Sequence, residues 1–301
     1  MNKFNKIAII GIGLIGSSIA LKAREINIAG EIALYDIDPE VREIARELKL
    51  GRVYENFAEL LRGADLVILC VPCGAMEAVS QQIAPFLKAG TILTDVGSVK
   101  GEIVKILTAN APENVFVIPG HPIAGTEQSG PRAGFAELFD GRWCIITPIN
   151  QSEEYLAALA KLSDFWTSLG SKIELMDPAR HDLVLAMTSH IPHLIAFCIV
   201  NTAEDTETLS ESEVVKYSAG GFRDFTRIAA SDPTMWRDVF LLNKDAVLDI
   251  LGRFSEDLTA LRRAIRWDDG DVLFDVITRA RRMRKEVIDA GQDSEKPNFG
   301  R

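Results

Sequence analysis

The chain predicts an α/β fold, with an N-terminal doubly wound parallel sheet followed by an all-α domain. Three observations carry this expectation. Short apolar runs alternate with helical stretches over residues 6–147. A glycine-rich turn, GIGLIG, joins the first apolar run to the first helix. Beyond Pro178 the strand pattern gives way to helix.

The elements follow in order. Lys6 to Ile10 (KIAII) is a continuous apolar run ending at glycine, as expected of a strand buried on both faces. Ser17 to Arg24 reads as helix, Glu31 to Asp36 as the second strand, and Pro39 to Leu48 as an amphipathic helix with proline in its first turn. Ala64 to Val71 is the third strand, Ala75 to Leu87 a helix, and Thr91 to Val96 the fourth strand. Val115 to Ile118 and Trp143 to Thr147 add further strands to what is expected to be one sheet of βαβ units. After Asn150 only Lys172 to Met176 reads as strand. Helices are expected at Ala179 to Val200, Phe225 to Ala230, Thr234 to Leu251 and Glu256 to Asp289. The division expected is a nucleotide-binding domain over 1–175, with its boundary between 148 and 178, a helical domain over 176–290, and a polar tail over 291–301. The run from Leu183 to Val200 is too apolar for a small monomeric bundle, so a homodimer through the helical domain is expected.

Composition excludes several classes. With 47% hydrophobic and 25% charged residues, the 301-residue chain has the make-up of an ordinary soluble globular protein. A net charge of −10, with no basic run that could track a phosphate backbone, argues against nucleic acid as a partner. No uninterrupted apolar stretch reaches the roughly 18 residues of a membrane span, and the N-terminus lacks a signal-peptide pattern. Cys70, Cys73, Cys144 and Cys198 are scattered; Cys70 and Cys73 form a C-x-x-C without a second pair or a nearby histidine. Reduced thiols in the cytoplasm are the expectation, and no metal site is legible.

The glycine turn is Gly11-Ile12-Gly13-Leu14-Ile15-Gly16. Such a turn is a weak signal alone, but here it follows a buried strand and opens a helix. The first glycine permits the tight turn, the second a close approach of a pyrophosphate, and the third the packing of helix on strand. Asp36 ends the next strand, where an acid binds the adenosine ribose hydroxyls and repels a 2′-phosphate. The cofactor expected is NAD, on a Rossmann-type sheet. Val71, Pro72 and Ser98 follow later strands and line the same crevice. Ser98 is also readable as the N-cap of a helix over Val99 to Leu107, and Lys100, in that helix's first turn, as a solvated lysine. His121 begins HPIAGTE and is one of only four histidines. An imidazole in a tight turn is the side chain best suited to exchange a proton near neutral pH.

GIGLIGSS, DVGSVKG, GHPIAGTE, TSHIPHLIA and SAGGFRDFTRIAASDPTMWRDVF occur in that order across residues 11–240. Together they resemble the prephenate/arogenate (cyclohexadienyl) dehydrogenase family of tyrosine biosynthesis. The resemblance implies a Rossmann domain followed by a helical dimerisation domain. It also implies NAD-dependent oxidative decarboxylation of prephenate, or of arogenate, to 4-hydroxyphenylpyruvate or tyrosine. His121 matches the catalytic histidine that receives the ring-hydroxyl proton, and Ser98 the serine that orients it. Arg227 matches the arginine that anchors a substrate carboxylate, and a fork-shaped guanidinium suits that task. His190 and Trp236 match pocket residues, and Thr126 a cofactor-side or substrate-side contact. Glu127 and Asp224 resemble charged residues at the pocket mouth that pair with Arg227.

Plainer readings stand beside these. His193 reads as a packing or surface residue, and His181, beside Asp182 at a helix start, as surface. Trp236 is readable as a core aromatic, and Arg223 flanks Asp224 from the other side to Arg227. The cationic run Arg279 to Lys285 reads as a solvated helix face. Two rival functions stay open: a 3-hydroxyacid dehydrogenase, and a non-enzymatic NAD-sensing module. The first would place a catalytic lysine on a long helix, and Lys216 lacks that context; the second would drop Ser98, His121 and Arg227. Prephenate with broad cyclohexadienyl tolerance is favoured over strict arogenate use, with Glu127 as the residue on which that choice turns.

Overall fold

The structure is a computed structural model that describes residues 4–126, 128–210 and 215–289. Glu127 and the expected tail lie outside the described residues. The chain forms two compact units: Met1–His190 with Ser231–Lys244, and Ile191–Ala230 with Asp245–Arg301.

The first unit begins with β1 (Phe4–Ile10), α1 (Leu14–Glu25), β2 (Ala29–Tyr35), α2 (Pro39–Glu47) and the two-residue β3 (Arg52–Val53). It continues through α3 (Phe57–Leu61), β4 (Leu66–Leu69), α4 (Met76–Ile83), β5 (Ile92–Asp95), α5 (Gly101–Asn110) and β6 (Phe116–Val117). These strands pair in parallel in the order β3-β2-β1-β4-β5-β6. The order reverses between β1 and β4, and in such sheets the crevice at that switch point takes the ligand. Side chains alternate along β1: Ile7 and Ile9 enter one core while Ala8 and Ile10 enter the other, so both faces are buried. Caps bound the helices where the sequence provides them. Asp38 accepts the Glu40 N–H at 2.8 Å ahead of Pro39, and Asn56 accepts the Glu59 N–H at 2.9 Å.

A second sheet departs from the single sheet expected. β7 (Gly120–Pro122), β8 (Trp143–Ile146) and, after α6 (Glu153–Ser168), β9 (Lys172–Leu175) form a three-stranded sheet, with β7 antiparallel to β8. His121 therefore lies in a short edge strand facing Ile145 in register, rather than in a turn. Pro122 is tolerated there because an edge position asks for no donor on its open side. Helix α6 was not legible as an element, yet its Leu162, Phe165 and Trp166 fill one core of the nucleotide-binding unit. Truncating Trp166 at such a site costs about 3–5 kcal/mol.

α7 (Pro178–Leu185) is capped by Asp177 and runs into a widened π turn at Ala186–His190. Pro192 follows at once; its ring would strike the carbonyl four residues back, and a widened turn relieves that clash. The helical run Pro178–Thr206 contains a window long and apolar enough to cross a membrane by length and composition, which the sequence reading did not recognise.

The second unit contains α8 (Ile191–Ser210) and α9 (Gly220–Thr226), which a short 3-10 turn extends over Arg227–Ala230. α10 (Pro233–Leu242) returns to the first unit, and α11 (Lys244–Arg266) and α12 (Gly270–Asp289) complete the described chain. The helix expected over Thr234 to Leu251 thus breaks at Asn243, and the long C-terminal helix breaks where Asp268 takes a left-handed φ of 56°. Large apolar side chains on α11 and α12, among them Leu258, Ile265, Phe274, Ile277 and Met283, are exposed.

Candidate active site

The glycine turn sits at the switch point of the sheet. Gly11 has φ +95°, and a side chain there would collide with the Cys70 carbonyl at the end of β4. A Cβ on Gly16 would strike the Gly11 carbonyl, so this glycine lets α1 approach the turn. A Cβ on Gly13 meets nothing within 4 Å, which leaves open space for a pyrophosphate at the start of α1. The turn and the helix N-terminus therefore fit a dinucleotide, with Ile12, Leu14 and Ile15 contributing backbone and flanks.

Asp36, just past β2, accepts the Ile12 N–H at 2.7 Å, which ties the end of that strand to the glycine turn. Arg42 is held close by: it donates to the carbonyls of Asp36 (2.7 Å) and Ile37 (3.1 Å) and pairs with Glu55 at 2.9 Å. Val71 and Pro72 follow β4 at the switch point, half-buried and exposed respectively. Ser18 Oγ accepts the Phe135 N–H at 3.1 Å, so the segment after HPIAGTE packs on α1.

Ser98 is half-buried in the turn between β5 and α5. It is not the N-cap of α5, whose N-cap residue is Lys100 with no side-chain cap of its own. A different residue does that work. Asp182, on α7, accepts the Lys100 N–H on Oδ1 and the Gly101 N–H on Oδ2, each at 2.7 Å. The N–H groups of Ser98 and Val99 turn instead to the Cys73 thiol, which burial pushes up from its ordinary value.

Lys100 is not solvated. It is fully buried, ion-paired with the buried Asp95, and donates to the Gly120 carbonyl at 2.7 Å. Asp95 accepts the Gly120 N–H at 3.3 Å and the Gly97 N–H at 2.8 Å. The residue before His121 is thus gripped at both N–H and C=O by one ion pair, which also holds the Ser98 turn.

His121 is 8% exposed, and its Nδ1 lies 2.9 Å from Nε2 of His181. His181 is fully buried, and its Nδ1 lies 2.8 Å from Asp182 Oδ1. This corrects the expectation of a surface histidine: a side chain with both ring nitrogens engaged satisfies itself inside the protein. Burial, with lesser effects from His181, Lys100 and His190, holds His121 well below a histidine's ordinary 6.5. Burial likewise lowers His181, against the opposing pull of Asp182. Burial works to raise the Asp182 carboxyl, but hydrogen bonds from His181 and the two amides outweigh it and leave it below the ordinary carboxylate value. Near neutrality the row is therefore imidazole, imidazole, carboxylate.

His190 and Trp236 also belong to this unit. His190 is fully buried at the end of the π turn, with Trp236 edge-on at 6.0 Å between ring centroids. Asn243 Nδ2 donates to the Asp182 carbonyl at 2.9 Å and lies 3.1 Å from His190 Nδ1. Sequence reasoning missed Asn243, for which no local signal exists, and also His181, Asp182 and Asp95. For His181 and Asp182 the adjacent His-Asp pair was the available signal. Thr126 is exposed, and its hydroxyl accepts the Gln128 N–H at 3.2 Å. Arg227 and Asp224 lie in the second unit, both exposed, with Arg223 4.0 Å from Asp224. His193 lies there too, tilted against Phe197.

Comparison with known proteins agrees with this fold. Residues 19–175 match the family model for the prephenate dehydrogenase nucleotide-binding domain, and residues 177–279 that for its dimerization domain. A cyclohexadienyl dehydrogenase of Zymomonas mobilis is 44% identical over 94% of this chain and 96% of its own. A prephenate dehydrogenase of Bacillus subtilis is 32% identical over 89% of this chain and 72% of its own. Among solved structures, a prephenate dehydrogenase from A. aeolicus, in complex with hydroxyphenyl propionate and NAD+, superposes with a TM-score of 0.86. It is 34% identical and covers 94% of this chain and 98% of its own. Synechocystis arogenate dehydrogenase superposes at 0.77 with 26% identity, covering 93% of this chain and 99% of its own. With a nucleotide turn at the switch point, a buried histidine held through Gly120 and both domain models matched in order, the chain belongs to the prephenate dehydrogenase family of NAD-dependent oxidoreductases.

Proposed function

We propose that this protein catalyses the NAD-dependent oxidative decarboxylation of prephenate, with His121 as the group that receives the ring-hydroxyl proton. The observation that carries the reading is His121 itself, a neutral imidazole gripped through Gly120 beside the Ser98 turn. A neutral imidazole accepts the hydroxyl hydrogen bond as the carbonyl forms, and burial keeps it neutral below the usual histidine range. Gly11 to Gly16 hold the pyrophosphate, and Asp36 the adenosine ribose. NAD, when bound, supplies the hydride acceptor. Val71, Pro72 and Ser98 line the crevice beside it, and Ser98 orients His121 or the hydroxyl. The family motifs that these residues match support Arg227 as the anchor of a substrate carboxylate, and His190, Thr126, Glu127, Trp236 and Asp224 as further substrate-binding residues.

Prephenate with tolerance for arogenate is favoured over strict arogenate use. The relative of 44% identity bears the inclusive cyclohexadienyl name, which supports that breadth. A homodimer through the helical domain is supported by the name of the matched model and by the apolar side chains exposed on α11 and α12. The apolar Pro178–Thr206 run suits the same interface. His181, Asp182 and His190 on it are buried in hydrogen bonds within the first unit, as in a helix of a water-soluble fold. A cytoplasmic location fits the four free thiols.

A spectrophotometric assay tests the reading. NADH should form with prephenate and, more slowly, with arogenate, but not with a 3-hydroxyacid. No turnover with either cyclohexadiene would remove it.

A further inference from the structure

We propose that His181 and Asp182 are positioning residues that assign the proton on His121, keeping Nδ1 protonated and Nε2 bare. The inference rests on the reading of His121 as the proton acceptor and says how that residue is made ready.

Donors and acceptors along the row leave one arrangement of protons. The Asp182 carboxylate only accepts. Its Oδ1 takes the Lys100 N–H and faces His181 Nδ1, and its Oδ2 takes the Gly101 N–H. His181 must therefore carry its proton on Nδ1. A neutral ring has one such proton, so His181 Nε2 is an acceptor, and His121 Nδ1, 2.9 Å away, must donate to it. His121 in turn is left with a lone pair on Nε2, the only ring nitrogen that a substrate hydroxyl can use. The reverse order would need a doubly protonated His181, fully buried and near the Lys100 ammonium, and burial opposes that charge.

Lys100 is paired with Asp95. Asn243 gives one N–H to the Asp182 carbonyl and the other to His190 Nδ1, which places the His190 proton on Nε2. The carboxylate is thus held from α5 through two amides and from α10 through its peptide, and the N-terminus of α5 favours its negative charge. When His121 takes a proton at Nε2, the positive charge faces Asp182 through one intervening ring, the logic of a buried acid behind a catalytic imidazole.

The test reads the proton directly. Protein of natural sequence, labelled with 15N-histidine, distinguishes protonated from bare ring nitrogens by NMR. Expected is His121 with Nδ1 protonated and Nε2 bare; a protonated Nε2 in the neutral ring would overturn the proposal. His181→Phe keeps a buried ring without nitrogen, and should lower kcat roughly 100-fold while leaving NAD affinity unchanged. In His181→Gln a side-chain carbonyl can stand in for Nε2 and should restore both the tautomer and most of the rate. Equal losses in the two variants with the tautomer unmoved would show a merely structural role and overturn the proposal. Normal turnover in His121→Asn would instead sink the reading of His121 itself.

Discussion

The imidazoles of His121 and His181 meet nitrogen to nitrogen at 2.9 Å, although sixty positions separate them in the chain. One stands on an edge strand of the small sheet and the other in the first turn of α7. Their contact couples a residue identifiable from its motif to one with no motif at all.

Replacing His121 by Asn should lower kcat by about 100-fold or more, the usual contribution of a positioned acid or base. NAD affinity, measured by fluorescence titration, should stay near normal because Gly11 to Gly16 are untouched. A weakened NAD affinity with normal turnover would contradict the assignment.

Acid should destabilise the protein from an unusually high pH. His121 and His181 both have folded values below 6.5, so the unfolded chain binds protons that the native state refuses. Their contribution is fully present above pH 6.5 and is lost as the pH falls below it. Asp182, held below its ordinary 3.8, adds a loss further down, as the pH falls through its folded value. The acid limb of kcat/KM should meanwhile lie below pH 6.5, since His121 stays neutral there. Urea midpoints and rate profiles from pH 8 to pH 4 check both.

Two glycines of one turn should fail differently. Gly13→Ala has open space and should fold with normal Tm, yet raise the KM for NAD at least tenfold by blocking the pyrophosphate. Gly16→Ala would drive its methyl into the Gly11 carbonyl and should lower stability by about 1–3 kcal/mol. Matching thermal melts would disprove the distinction.

Cofactor choice should depend on Glu55 as well as Asp36. Asp36→Ser removes the charge that repels a 2′-phosphate, but Arg42 remains engaged by two carbonyls and Glu55. The single variant should still use NADP poorly. Adding Glu55→Gln should raise kcat/KM for NADP by about tenfold, the effect of a strengthened charge-assisted pair. No gain over the single variant would show that Arg42 does not reach the phosphate.

Lys100→Met should be costly, because it strands the buried Asp95 without its partner. A loss of about 3–5 kcal/mol is expected, read by urea denaturation. Activity should fall further than folding explains, since Gly120 and the Ser98 turn lose their common anchor. A variant as stable as the parent would show that the pair holds nothing.

Much of the first unit was legible because its signals are local. The strand that buries Ile7 and Ile9 on one side and Ala8 and Ile10 on the other had to read as a short apolar run, and the glycines after it are demanded by backbone approach. The second sheet was not legible as such. β7 has only three residues and contains a proline, and its pairing with β8 is decided by residues some twenty positions away. Helix α6 hid behind a mixed composition, although Ser152 caps it and its apolar face is continuous.

By itself the sequence determined the parallel sheet, the nucleotide turn and the family, all of which rest on neighbours within a few residues or on motifs in fixed order. Only the tertiary structure decided that Lys100 is buried against Asp95, that Asp182 caps a helix from another element, and that His181 turns inward to His121. The physical reason is that hydrogen bonds across such separations leave no periodicity behind. A buried polar group finds its partner through packing, and packing is not written in spacing.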